Sequence, residues 1–304
     1  MKKSITLFAL IVLLCACTDN FTPTNSIANL ISESSEYNFL RIVMVRAGLT
    51  EDLNAGVLTL FAPNDAAFKA SGFPDEASVS AIPAATCEKI MQYHILSKKN
   101  EAAFFATALN TETTMLNNEK TYISKKDNII SINGAKIIKA DIQVDNGVVH
   151  AIDRVLLPPT GNILDVASAN PELTFFVAAA KRATTVANNN LSLVLIGTAS
   201  NTVFAPNNQA FIDLGFKTLA SITAANANSL IAILNYHIIA GRQFSPILTS
   251  TDVVTASTSK LKIIAGNTPT ILGNGNAGKA ANVTQSDVLA SNGVIHVIDR
   301  VLLP

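Results

Sequence analysis

Charge is scarce in this chain of 304 residues. Asp, Glu, Lys and Arg together make up 14%, and 22 basic residues balance 22 acidic ones. A neutral, weakly charged surface gives no electrostatic reason to expect nucleic acid or an acidic membrane face as a partner. Long apolar runs are scarce too. The run from Ile5 to Leu14 is about ten residues, too short to cross a bilayer, and no later run approaches the ~18 of a transmembrane helix. The sequence also lacks a Cys/His cluster with zinc-like spacing, HExxH, GxSxG, a phosphate-cradling glycine loop and carboxylate runs suited to calcium. No cofactor, no metal and no catalytic residue is therefore expected.

Cysteine occurs only three times, twice near the N-terminus. Lys2 and Lys3 precede the apolar run, which leads into Leu14-Cys15-Ala16-Cys17. This reads as a signal peptide. Its last four residues resemble the bacterial lipobox: an aliphatic residue, two small residues and the cysteine that receives lipid. The resemblance implies a signal over 1–16 and lipidation of Cys17. Cys15 does not fit, because Leu14 would then fall on a small-residue position. An ordinary secretory signal with incidental cysteines is the alternative. Residues 17–25 follow as a polar tether, so the expected location is a lipid anchor in a bacterial outer membrane, at the cell surface or facing the periplasm. Cys87 is then the one thiol left, without a disulfide partner, and reads as a small buried group on a helix.

The rest of the chain is one unit written twice. TLFAPNDAAF at 59–68 is matched by TVFAPNNQAF at 202–211, and QYHIL around His94 by NYHII around His237. GVVHAIDRVLLP from 147 is matched by GVIHVIDRVLLP, which ends at Pro304. A period of roughly 145 residues is domain-sized, so two tandem domains are expected, 26–158 and 162–304. The joint Pro158-Pro159-Thr160-Gly161 is short and proline-stiffened, and should restrict their relative orientation.

Each copy reads helices first, then strands. Residues 26–48 predict two short helices, and a strand then enters FAPN. Asn64 and Asn207 are placed to cap the next helix, and longer helices are expected over 84–93 and 222–235. β-rich segments follow, with Asn-Gly turns at 133–134 and 146–147. In the second copy, 266–280 reads as a flexible Gly/Asn-rich insertion; its GNGNAG lacks the spacing of a nucleotide loop.

All four histidines fall in the repeated motifs. Side chains on a strand alternate faces, so His150 shares a face with Arg154 while Asp153 points the other way, and His296 and Asp299 are separated likewise. No His–Asp dyad forms within one strand, and buried, hydrogen-bonded histidines are favoured over ligands or bases. Tyr93-His94 and Tyr236-His237, at helix ends, leave two readings open. One is a recognition surface; the other is a core tyrosine with a histidine tying the helix end to a neighbouring strand. Asp65 has Asn208 as its counterpart, which argues against acid–base chemistry shared by the copies.

TLFAPNDAAF, QYHIL, INGAKIIKADI and NGVVHAIDRVLLP, in this order, resemble the conserved boxes and YH motif of fasciclin-like domains, and the second copy repeats the likeness. The resemblance implies an α+β fold, with a β-wedge or sandwich core and helices packed around it in each of two domains. It also implies a role in extracellular adhesion or binding without enzymatic activity. The partners so implied are an extracellular protein or polysaccharide and, through the lipid, a membrane, with no nucleic acid. A periplasmic or surface accessory protein that binds a small ligand or glycan for an uptake system is the alternative. In animal relatives the YH region is implicated in receptor binding, which makes Tyr93, His94, Tyr236 and His237 the candidate binding residues. Both copies carry Asn after FAP where the family commonly has Ser or Thr; the capping role is preserved.

Overall fold

The computed structural model describes residues 25–187 and 189–304. The expected signal peptide, Cys17 and all but the last residue of the expected tether lie outside the described residues.

The first copy opens with α1 (Ile27–Glu33) and α2 (Asn38–Ala47), the two short helices that the sequence predicts. Then come β1 (Leu58–Pro63), α3 (Asp65–Ala70), α4 (Glu76–Ser80) and α5 (Ala84–Gln92). Six strands complete it: β2 (Ile95–Leu96), β3 (Thr111–Thr114), β4 (Lys120–Lys126), β5 (Ile129–Ile132), β6 (Ala135–Val144) and β7 (Gly147–Ile152). The second copy repeats this with α6 (Ile163–Ala169), α7 (Thr174–Ala183), an added α8 (Leu191–Ile196), β8 (Asn201–Pro206), α9 (Asn208–Asp213), α10 (Leu219–Thr223) and α11 (Ala227–Tyr236). Its remaining strands are β9 (Ile238–Ala240), β10 (Thr251–Val254), β11 (Lys260–Ile264), β12 (Thr270–Gly273), β13 (Ala281–Ala290) and β14 (Gly293–Ile298).

Each copy forms one seven-stranded sheet, ordered β2-β1-β7-β6-β5-β4-β3 in the first and β9-β8-β14-β13-β12-β11-β10 in the second. Every pairing is antiparallel except β1 with β7 and β8 with β14. Those parallel strands are covered on both faces, which is why LFAP and GVVHAI read as near-continuous apolar runs. Alternation along β1 divides two cores. Leu60 and Ala62 pack under α1, α2 and α5, while Phe61 faces into the curl of the sheet with Ile123, Ile132 and Ile152. The curl nearly closes: the Leu116 amide donates to the Ile95 carbonyl, and Ile239 bridges Thr255. Cys87 is fully buried among the helix-side residues.

Asn64 accepts the Ala67 amide at 2.8 Å and Asn207 the Ala210 amide at 2.9 Å, each capping the helix after its FAP strand. Asn64→Ala is expected to cost about 1 kcal/mol in urea unfolding, and Asn64→Ser much less, because only the first removes the cap acceptor. Equal losses for both variants would show that the cap is not what Asn64 contributes.

Three expectations need correction. The helix expected over 222–235 is two helices, because Asn226 accepts the Asn228 and Ser229 amides and starts a new one. Residues 266–280 are not a free insertion: Thr270–Gly273 is β12, paired with both β11 and β13. The glycines that suggested flexibility are there for close approach. A Cβ on Gly273 would lie 2.6 Å from the Leu303 carbonyl oxygen, and the Gly275 amide donates to that same oxygen. Finally, the closing strand stops at Ile152 and Ile298, so Asp153 and Asp299 lie beyond it.

Candidate functional site

Each YH pair closes a helix, and its side chains turn inward. The four residues Tyr93, His94, Tyr236 and His237 are wholly buried. Tyr93 donates its hydroxyl to the Lys120 carbonyl at 2.7 Å and accepts from Asn133, and burial pushes its pKa up to about 12. His94 holds Nδ1 2.7 Å from the Ile90 carbonyl and accepts the Leu156 amide on Nε2 at 2.9 Å. A carbonyl on one nitrogen and an amide on the other specify the neutral ring with its proton on Nδ1. His237 repeats this with Ile233 and Leu302, both at 2.8 Å. Burial pushes both histidines down from 6.5 to about 4. The recognition-surface reading needs side chains that reach solvent, and these four have none exposed. They tie the helix end to the segment that follows the closing strand.

His150 and His296 also have both ring nitrogens engaged. Nε2 of His150 lies 2.8 Å from the Asn100 carbonyl and Nδ1 accepts the Asp141 amide at 3.2 Å; His296 does the same with Gln243 and Asp287. The amides come from bulges in β6 and β13, where Asp141 and Asp287 take positive φ of 56° and 63°. Desolvation lowers the His150 pKa, partly offset by the Asn100 carbonyl and Asp141. Asp153 accepts the Lys136 amide at 2.7 Å and Asp299 the Asn282 amide at 2.8 Å, so neither carboxylate serves a histidine. Among the described residues no group of three or more His, Cys, Asp or Glu is placed to hold a metal ion.

The contacts that reach beyond a single copy lie at the seam between the two. Arg154, just past β7, donates to the Asp287 carboxylate at 2.8 Å and to Ser286 Oγ at 3.1 Å. Asp287 also accepts the Ser245 amide and hydroxyl, and its side chain is 2% exposed against 27% for Arg154. Arg242 lies 4.2 Å over the Tyr122 ring, and its carbonyl accepts from Asn110. Tyr122 and Leu289 pack with Phe244, Ile247 and Val294, and Leu289 also reaches the inner core of the first copy. Beside the ion pair lies a groove of about 790 Å³ lined by both copies, including Asn133, Asp153, Thr160, Leu157 and Gln285, with no aromatic side chain.

Sequence reasoning put Arg154 on the face of His150 and missed its partner. The available signal was small: Arg154 is a cation in a largely apolar repeated motif, and such a residue needs a counter-charge when it is buried. Little that is local identifies Asp287: its counterpart Asp141 sits on the same bulge with Ala102 in place of Ser245, and stays 39% exposed.

The fasciclin domain family model matches residues 35–158 and 171–304. Transforming growth factor-beta-induced protein ig-h3 of Sus scrofa is 30% identical over 256 residues, covering 82% of this chain and 35% of that protein. Periostin of Homo sapiens is 32% identical over 195 residues, covering 63% of this chain and 22% of that protein. Immunogenic protein MPB70 of Mycobacterium bovis is 36% identical over 141 residues, covering 45% of this chain and 66% of that protein. This chain thus spans about a third of the length of the ig-h3 relatives it matches. Among solved structures, a FAS1 domain pair from the insect cell adhesion molecule fasciclin I covers 88% of this chain and 96% of its own at 20% identity, with a TM-score of 0.42. With two family matches spanning most of its length, each on one seven-stranded sheet with its helices, the chain belongs to the fasciclin domain family.

Proposed function

We propose that this chain is a non-catalytic, extracytoplasmic binding and adhesion protein, held at a bacterial outer membrane by lipid on Cys17. It presents two fasciclin domains in one fixed orientation to proteins or polysaccharides of a cell surface or matrix. The observation that carries this reading is the seam: Arg154 on a buried Asp287 fixes the pair, while both nitrogens of every histidine are engaged within the fold. No helix among the described residues is long and apolar enough to cross a membrane. The two-domain groove supports a second reading, a small-ligand or glycan carrier for an uptake system.

A glycan and matrix-protein array probed with the full chain carrying Cys17→Ser tests the first reading. Binding that disappears in Arg154→Ala is expected, since a ligand spanning the pair needs its fixed orientation. Protease added to intact cells should remove the protein. Full resistance on intact cells, with cleavage after outer-membrane permeabilisation, would sink the surface reading and leave the periplasmic one.

A further inference from the structure

The seam uses one face of each copy, and because the copies are repeats, each also carries the face that its neighbour uses. Arg154 corresponds to Arg300, and Asp287 to Asp141. The second correspondence is structural as well as sequential. Both aspartates sit on the bulge whose amide reaches a histidine, and each accepts an amide from the loop after the second strand, that of Ala102 or Ser245. Arg154 and Asp287 meet, whereas Arg300 and Asp141 lie at the two outer ends of the pair. Arg300 has a buried Nε without a hydrogen-bond partner, and the Asp141 carboxylate is 39% exposed where that of Asp287 is 2%.

The surroundings of these two ends match the seam in part, with Ala140 and Ala102 in place of the Ser286 and Ser245 that Arg154 also reaches. Phe104, 75% exposed, occupies the position of Ile247, which the seam reduces to 3%. Ile138, 53% exposed, occupies the position of Thr284 at the groove. At the other end Ile264, 38% exposed, lies on the same side of β11 as Lys262, whose counterpart Tyr122 packs into the seam. One end therefore offers Arg300 and Lys262 beside Ile264; the other offers Asp141 beside Phe104 and Ile138, with Glu101 already paired to Lys99 at 3.3 Å.

We infer that this protein self-associates head to tail, the Arg300 face of one molecule docking on the Asp141 face of the next as Arg154 docks on Asp287. The occupant is a second copy because the chain already contains a working example of the contact, in which Arg300 and Asp141 are the halves left over. Where Arg242 stacks on Tyr122 in the seam, Lys99 would face Lys262 in the new contact, which weakens it relative to the seam. A contact between two different faces does not close on itself as a twofold dimer does, so it extends into open chains. Glu101 replaces Phe244 and Gln143 replaces Leu289, which makes the intermolecular contact more polar and more sensitive to salt than the seam. The inference stands independently of which ligand the protein binds.

Sedimentation velocity of the full chain with Cys17→Ser, which removes any lipid-driven association, tests it. Sedimentation should rise reversibly between micromolar and near-millimolar protein and fall back in about 0.5 M salt. Arg300→Glu and Phe104→Lys should each weaken association at least tenfold without changing the melting temperature. Phe104 is mostly solvent-exposed, and Arg300 is half-buried with no hydrogen-bond or ion-pair partner among the described residues; an unchanged melting temperature in each variant is the control that separates lost association from a lost fold. Arg300→Glu keeps an intact Asp141 face and Phe104→Lys an intact Arg300 face, so a 1:1 mixture should form dimers that grow no further. A wild-type chain that stays monomeric throughout, or a dimer indifferent to both variants, would overturn the inference.

Discussion

Acidification from pH 7 to below pH 4 is expected to cost each domain about 3 kcal/mol through a single histidine, His94 in the first and His237 in the second. Both are held neutral when folded, with pKa lowered from 6.5 to about 4 by burial. The unfolded chain therefore binds more protons than the folded one between those values. The contribution is fully present above the unfolded value of 6.5 and is lost as pH falls through 4. His150 shifts in the same direction, so the first domain gains a further, smaller sensitivity. Asp153 works the other way: burial raises its pKa, which favours the folded state as it protonates. For domains whose whole stability is about 5–15 kcal/mol, the histidine term alone is a large fraction. Guanidinium unfolding at pH 7, 5.5 and 4 measures it. His94→Leu should be less stable at pH 7, because the Leu156 amide loses its acceptor, and should show a flatter pH profile in the first domain. Equal stability of the parent chain at pH 7 and pH 4 would falsify the neutral-histidine assignment.

Arg154→Ala is expected to release the two domains from their fixed orientation and to destabilise the second by about 3 kcal/mol, since it leaves a buried carboxylate without its cation. The figure is at the low end for a broken buried pair because Asp287 keeps the Ser245 amide and hydroxyl, and Arg154 is partly solvated. Small-angle scattering should show a broader distribution of sizes, and one cooperative melt should split into two. Arg154→Lys should rescue the charge but not the several donors that reach Ser286, Asp287 and Ser245 together. Gly134→Ala offers a separate route to the same end. Its Cβ would lie 2.4 Å from Asp287 Cγ, and at φ of 85° the substitution is strained as well. If scattering and melting of both variants match the parent, the seam does not hold the pair together.

Much of a single domain was legible because the rules that shape it act over a few residues. Asn64 and Asn207 announce helices through side chains that cap amides three residues on. The Asn133-Gly134 turn follows from two residues that tolerate positive φ. Local composition misled where glycine serves packing rather than freedom, as at Gly273 and Gly275, because close backbone approach and flexibility call for the same residue. It left two readings open at the YH pairs. A tyrosine and a histidine at a helix end look alike whether they face solvent or core, and burial depends on strands that come later in the chain.

The sequence by itself determined that there are two copies of one α+β unit, where most of their helices and strands lie, and which residues punctuate them. These are matters of repetition, period and capping. Only the tertiary structure decided that β1 lies parallel to β7, that the bulge amides of Asp141 and Asp287 reach His150 and His296, and that Arg154 finds Asp287 while Arg300 finds no polar partner among the described residues. The two aspartates occupy equivalent positions in equivalent motifs, yet one is buried and the other is open. The difference is whether a second domain lies against them, and that is settled by how the copies pack rather than by any spacing within either one.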